Sequence, residues 1–304
     1  MGSWRSWSAV PLVAVALVVA TACGSSKKST SSTSSTASTP TVAANPAVEK
    51  LVPAAVKSKG TLTVAMDASY PPDEFISTNG HTVVGMDADL SNALVGVMGL
   101  KANLVNATFD TIIPGLQAGK YDLGASSFTD NKKREKVVDF VDYFTAGEAF
   151  FTKASGGTAV TGLADLCGKT VSVESGTTEE TDAKAQSAKC TKAGKPAVKV
   201  LVFPTQTAAN LALSSGRAQV VFADSTVADY QVKQSNGTFK LTGPVFGTAP
   251  YGLALPKNLG LTKAVQAGLK ALVSDGTYHS ILAKWGIASG AISASAIKID
   301  GATS

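Results

Sequence analysis

Leu62-Thr63-Val64-Ala65, running into Asp67-Ala68-Ser69-Tyr70-Pro71-Pro72, is the passage that decides the fold. Its first four residues are apolar or β-branched, the composition of a short buried strand. The run ends in an acid, a serine and a Pro-Pro pair, none of which continues a strand ladder. A strand emptying into a polar loop ahead of a helix is the start of a βα unit, and the remainder of the chain repeats it. Leu90, Leu94 and Val97 share a stripe that predicts a helix over about Asp87–Leu100. Strands are expected at Leu104-Val105, Tyr121–Ala125, Val171–Val173, Lys199–Phe203 and Gln219–Phe222. Helices are expected at Thr111–Ala118, with Pro114 near its start, and at Gln206–Ser214. Two last stripes, Leu261/Val265/Leu269/Leu272 and Tyr278/Ile281/Leu282/Trp285, predict a helical end to the body. This alternation implies an α/β fold of parallel or mixed sheets flanked by helices.

The 304 residues are 44% hydrophobic and 16% charged, enough for one large domain or two lobes and incompatible with disorder throughout. Only one long apolar run occurs, which excludes a multispanning membrane protein. The formal charge of +5 comes from 27 Lys+Arg against 22 Asp+Glu, without clustering around aromatics, so no nucleic-acid partner is expected. Arginine is scarce: Arg5, Arg134 and Arg217 are the whole set.

Residues 1–22 read as a signal peptide, with Arg5 as the positive flank and Ala9–Ala22 as an apolar run too short to span a bilayer easily. The junction Ala20-Thr21-Ala22-Cys23-Gly24 resembles a bacterial lipobox, which implies lipidation of Cys23. An ordinary signal peptide cut near Ala22 is the alternative. Residues 23–55 then form a lipid-anchored tether, dominated by Ser and Thr from Ser25 to Ala44, that holds a body on the outer face of the cell membrane. For an exported chain the two remaining cysteines, Cys167 and Cys190, are expected to form a disulfide, with two buried free thiols as the alternative. Neither has a partner at metal-ligand spacing. His81 and His279 lie far apart and are read as structural or exposed, so no metal and no cofactor is expected.

In open α/β sheets, ligands sit beyond the carboxyl ends of the strands. The loops at those ends carry Asp67, then Thr129 with Arg134, then Ser175-Gly176-Thr177-Thr178, then Asp224. Acids, one guanidinium, hydroxyls and a Gly/Thr turn suit a small zwitterion.

Several runs, in order over residues 56–290, resemble the family-three extracellular solute-binding proteins, the polar amino-acid receptors of ABC importers. They are Gly60–Ala65, Gly85–Leu90, Phe109–Leu116, Arg134–Phe140, Ser175–Thr178, and Asp275–Tyr278 followed by Lys284-Trp285. The resemblance implies a two-lobed type II periplasmic-binding-protein fold with a two-strand hinge. Lobe 1 would comprise residues 56–150 and 250–290, lobe 2 residues 151–249, and residues 291–304 a C-terminal tail. Crossings are expected near Phe150–Lys153 and Gly247–Leu253. It also implies roles. Arg134 would hold the ligand α-carboxylate, assisted by Thr129, and Ser127 would donate backbone bonds. Thr177 and Thr178 would supply the turn from lobe 2, Asp224 would take the α-ammonium, and Asp67 would face the ligand side chain. Tyr70 and Phe109 would sandwich its stem.

The chain departs from the family pattern at Asn131, where a Thr is frequent, and near Ser127, where Gly is frequent. Glu174 stands where some relatives carry a residue that selects the ligand side chain, and Glu179 follows the Gly/Thr turn. With one arginine committed and several acids left over, the ligand is expected to be a polar, possibly cationic, amino acid. The expected partners are that amino acid and an ABC permease, with the protein a monomer and not an enzyme. The alternative is a periplasmic cyclohexadienyl dehydratase-like enzyme on the same fold, for which Glu174 would be the general acid.

Overall fold

The computed structural model describes residues 42–303, so the expectations for the signal segment and for Cys23 lie outside the described residues. In chain order the elements are α1 (Pro46–Glu49), α2 (Ala54–Lys59), β1 (Thr61–Met66), β2 (Ser69–Tyr70), β3 (Glu74–Ile76), β4 (Val83–Val84), α3 (Met86–Val97), β5 (Lys101–Asn106), α4 (Phe109–Gln117) and β6 (Leu123–Gly124). Then come β7 (Asp139–Lys153), β8 (Thr170–Glu174), α5 (Thr178–Lys192), β9 (Lys199–Phe203), α6 (Gln206–Ser214), β10 (Val220–Asp224), α7 (Ser225–Gln234), β11 (Phe239–Leu255), α8 (Thr262–Ser274) and α9 (Thr277–Trp285). The expected βα alternation is present. The short β2-β3-β4 sheet is an addition to that alternation, and α5 and α7 begin directly after Thr177 and Asp224.

Eight strands form one sheet in the order β5-β1-β6-β11-β7-β10-β8-β9. On one side β1 pairs parallel with β5 and β6; on the other β8 pairs parallel with β9 and β10. Between them β7 and β11 run antiparallel, from Asp139 opposite Leu255 to Lys153 opposite Phe239. These two strands thread both halves of a two-lobed body, each half with its own apolar core. Leu62, Val64, Leu94, Leu253 and Leu269 pack in one core, and Phe150, Val171, Val173, Val220 and Phe222 in the other. The strand register slips between Thr242 and Ala249, where the halves meet. Glycine is required there twice. A Cβ on Gly147 would lie 2.6 Å from the Phe246 carbonyl, and Gly247 sits at φ +60°, a region that other residues enter only at a cost.

The C-terminal residues belong to the body. Ile297 is buried, and the Asp142 N–H donates to the Lys298 carbonyl at 2.9 Å. Phe140 N–H donates to Asp300 Oδ1 at 2.8 Å, and Gln266 Nε2 to the Ile297 carbonyl at 2.9 Å. Val141 and Ile299 form an antiparallel bridge, so this segment lies along the start of β7, where β10 does not reach.

Cys167 and Cys190 are joined in a disulfide, tying the segment before β8 to the buried face of α5. The alternative of two free thiols is thereby removed. The closed loop spans a sequence separation of 23, for which chain-entropy reasoning gives about 3 kcal/mol. Reducing the bond, or Cys190→Ala with Cys167→Ala, should lower the unfolding free energy by about that amount in urea melts; an unchanged midpoint would contradict it.

Candidate functional site

The carboxyl ends of β1, β6, β8 and β10 meet in a narrow cleft between the two halves. One side supplies Tyr70, Phe109, Ser126, Ser127, Thr129 and Arg134; the other supplies Glu174, Thr177, Thr178, Glu179 and Asp224. With the halves in this position the cavity is about 10 Å³, room for roughly one water. Sequence reasoning therefore brought together Tyr70, Phe109, Ser127, Thr129, Arg134, Glu174, Thr177, Thr178 and Asp224, and did not name Ser126. Glu179 was noted only as following the turn. Its position in the first turn of a helix that starts at the cleft is the signal that could have placed it.

Direct bonds link the two sides. The Arg134 guanidinium lies over the rings of Phe109 and Phe128, 5.4 and 5.5 Å from their centroids. Its Nη1 donates to the Thr129 carbonyl at 2.8 Å and its Nη2 to the Gly176 carbonyl at 3.1 Å, the second bond reaching across the cleft. The loop that presents it is closed by the Arg134 N–H donating to Asn131 Oδ1, so the departure at Asn131 has a local structural use. From the same side the Tyr70 hydroxyl donates to Asp224 Oδ2 at 2.6 Å. Asp224 is the residue before α7, yet its side chain makes no capping bond to that helix; Tyr70 holds it instead. Thr226 and Asp73 (2.6 Å) and Ser175 and Asp110 (2.9 Å) make further bonds across the gap.

Thr177 is tied to its own helix. Its Oγ1 accepts the Glu180 N–H at 3.1 Å and donates to the Glu174 carbonyl at 2.9 Å, which fixes the start of α5 at the cleft wall. The N-terminus of α5 there favours negative charge.

Two expectations take a different form in the structure. Asp67 is not among the cleft-lining residues. Its Oδ2 accepts the Phe109 N–H at 2.9 Å and its Oδ1 the Ser69 N–H at 3.1 Å, so it anchors the start of α4 and stands behind the wall beside Glu174. The Ser127 amide is not free to donate to a ligand either, because it donates to Asp87 Oδ2 at 2.7 Å. Ser127 sits at φ +48°, which costs a non-glycine residue about 1 kcal/mol. Asp87 holds that strained turn, and its other oxygen accepts the Tyr143 hydroxyl at 2.6 Å.

The electrostatics are lopsided. Burial, then the charge of Asp67, pushes the Glu174 carboxyl up to about 10. Burial and the neighbouring Asp224 and Glu148 push Glu179 well above the carboxylate range. Asp224 is raised to about 6 by burial, with the bond from Tyr70 opposing. Neither Glu174 oxygen, nor Glu179 Oε1, has a hydrogen-bond partner among the described residues. Arg134 is the sole cation bordering the cleft among those residues. No group of three or more His, Cys, Asp and Glu side chains that could hold a metal occurs among the described residues.

A sequence model of the bacterial extracellular solute-binding proteins, family 3, matches residues 62–288. The chain belongs to that family. It is 36% identical over 246 residues to an arginine-binding protein of Corynebacterium glutamicum, a match covering 81% of this chain and 80% of that one. Among solved structures, an ancestral arginine-binding protein bound to arginine shares 38% identity with a TM-score of 0.68, covering 74% of this chain and 98% of that one. An ancestral amino acid-binding protein described as a precursor of cyclohexadienyl dehydratase shares 34% at a TM-score of 0.68, covering 76% and 97%. These likenesses bear out the two-lobed type II binding-protein fold. The relatives are named for binding; the dehydratase alternative meets only that precursor, itself described as amino acid-binding.

Asp87→Ala would leave the Tyr143 hydroxyl and the Ser127 N–H without their acceptor. It should cost about 2–4 kcal/mol of stability in a urea titration; a loss below 1 kcal/mol would show that the turn at Ser127 does not depend on it.

Proposed function

We propose that the protein captures a cationic amino acid, L-arginine first among them, and hands it to the permease of an ABC importer. The observation that carries this reading is the acid excess. Three buried carboxyls, Glu174, Glu179 and Asp224, line a cleft that holds one guanidinium, so a ligand has to bring positive charge with it. In this reading Arg134 turns its planar fork to the α-carboxylate, with Thr129 and the start of α5 alongside. Asp224 receives the α-ammonium in exchange for the Tyr70 hydroxyl. Tyr70 and Phe109 flank the aliphatic stem, and Glu174, backed by Asp67, receives the guanidinium. The relatives named for arginine support the same ligand class.

Ligand entry requires the lobes to part, because so little room is left between them, and β7 and β11 are where such a hinge would flex. The lobes are assigned to residues 56–150 with 250–290 and to residues 151–249. Closing on the ligand gives it contacts from both sides, and that differential contact is what would hold the closed form. The remaining features of the reading are export, removal of residues 1–22, lipidation at Cys23 and action as a monomer on a Ser/Thr-rich tether. Incorporation of labelled fatty acid, abolished by Cys23→Ser, checks the anchor.

Calorimetric titration with the twenty amino acids tests the ligand; tight binding of glutamate with none of arginine or lysine would overturn it. Arg134→Ala or Asp224→Ala should weaken arginine binding by two to three orders of magnitude or more, since losing one partner of a buried charge pair costs about 3–5 kcal/mol. Glu174→Gln should weaken arginine more than glutamine, and an equal loss for both would remove Glu174 from the side-chain pocket.

A further inference from the structure

Glu174 and Glu179 are buried carboxyls whose nearest polar neighbours are largely other carboxyls, Asp67 for one and Asp224 for the other. Glu174 closes β8 with 1% of its surface exposed, and Glu179, in the first turn of α5, has 2%. Glu179 Oε2 meets the Thr178 hydroxyl at 3.1 Å, but its Oε1 and both Glu174 oxygens meet no donor among the described residues.

The groups facing them are mostly acids. Glu174 faces Asp67 from the turn after β1 and Asp224 from the end of β10, with the Gln206 backbone of α6 nearby. Glu179 faces Asp224 and also Glu148 of β7, beside which lies Asp182 of α5. The hydroxyls of Tyr70 and Tyr251 feel the same cluster. Arg134, from the loop after β6, faces Glu179 and Asp224 as the one cation, and two of its nitrogens already donate to backbone carbonyls.

Ionised carboxylates sealed side by side without partners cost several kcal/mol each, so this arrangement of the lobes stands only with added positive charge between them. Such charge has two sources, a ligand's cationic side chain or protons. We propose that protons are a second, competing ligand of the cleft: the lobes close either on a cationic amino acid or on Glu174 and Glu179 each carrying a proton. The cation half rests on the reading of the preceding subsection; the proton half does not.

The upward displacement of both carboxyls, chiefly by burial and then by the neighbouring acids, agrees with this. Lobes held apart return the carboxyls to water and to ordinary acidity, so the closed form binds more protons than the open one. Falling pH therefore drives closure, and rising pH reverses it. A cation closes the lobes without those protons. Its affinity must then fall as pH falls, about tenfold per pH unit for each proton it displaces.

Small-angle scattering of the protein between pH 9 and pH 5, with and without saturating L-arginine, reads closure, and calorimetry over the same range reads affinity. The expected result is a radius of gyration that shrinks toward pH 5 without arginine and is small at every pH with it, and a Kd that rises at least tenfold from pH 8 to pH 6. Glu174→Gln with Glu179→Gln, whose amides mimic protonated carboxyls, should be compact at pH 9 without arginine. The single Glu174→Gln variant should show part of the same shift. A radius that does not change with pH, a Kd that does not, or variants that follow the wild-type course would each overturn the proposal. Arginine that neither binds nor compacts the protein at any pH would instead overturn the amino-acid reading, and acid-driven compaction would then still uphold the proton half.

Discussion

Asp67, Glu148, Glu174, Glu179 and Asp224 lie buried at and behind a cleft that holds one guanidinium, and the sheet is what puts them there. Parallel strands on each side of the molecule end at the same level, so the loops after β1, β6, β8 and β10 meet face to face. β7 and β11 hold that alignment because each runs unbroken from one half to the other. Glu148 and Asp224 are directly paired across β7 and β10, which carries the acid row from the hinge strand into the cleft. Topology fixes the distances, and with them the imbalance of charge in the cleft, several carboxyls against one guanidinium.

Much of this was legible in the sequence because strand ends announce themselves. Val173 and Phe222 each close a short apolar run, and Glu174 and Asp224 just after them are found at the cleft, whereas Asp67, which follows the run ending at Val64, stands behind its wall. What escaped has physical reasons as well. α5 carries Ala183, Gln186 and Cys190 on its buried face in place of large apolar residues, so no stripe marks it. The strands β2, β3 and β4 are two or three residues long and leave almost no periodicity. Glu179 hides inside a polar run, where a charged residue reads as a solvated helix start. The roles of Asp67 and of the Ser127 amide could not be seen at all, since each depends on a distant partner, Phe109 at 42 residues for one and Asp87 at 40 residues for the other.

Those two residues show how the site is supported. Asp67 gives both oxygens to backbone amides and so fixes Phe109, one of the aromatic walls, while its charge raises the neighbouring Glu174. Asp87 pins a backbone turn that an L-residue would otherwise avoid. Cleft-facing residues thus rest on a layer of acids whose own bonds point into the protein, and the two layers interact through charge as well as geometry. A fold shared with the precursor of a dehydratase need not share that enzyme's chemistry.

Residues 297–300 cover an edge of the sheet. Along its first half β7 has β11 on one flank, but β10 pairs with it only from Glu148 onward, and Phe140–Asp142 are bordered by Lys298–Asp300. Unpaired strand backbone is a template on which any extended peptide can add. Until Lys298–Asp300 have docked, a folding chain lacks this hem. During that interval the half-built sheet is exposed to misassociation with other copies, and a nick before Ile297 would restore the hazard in the folded molecule.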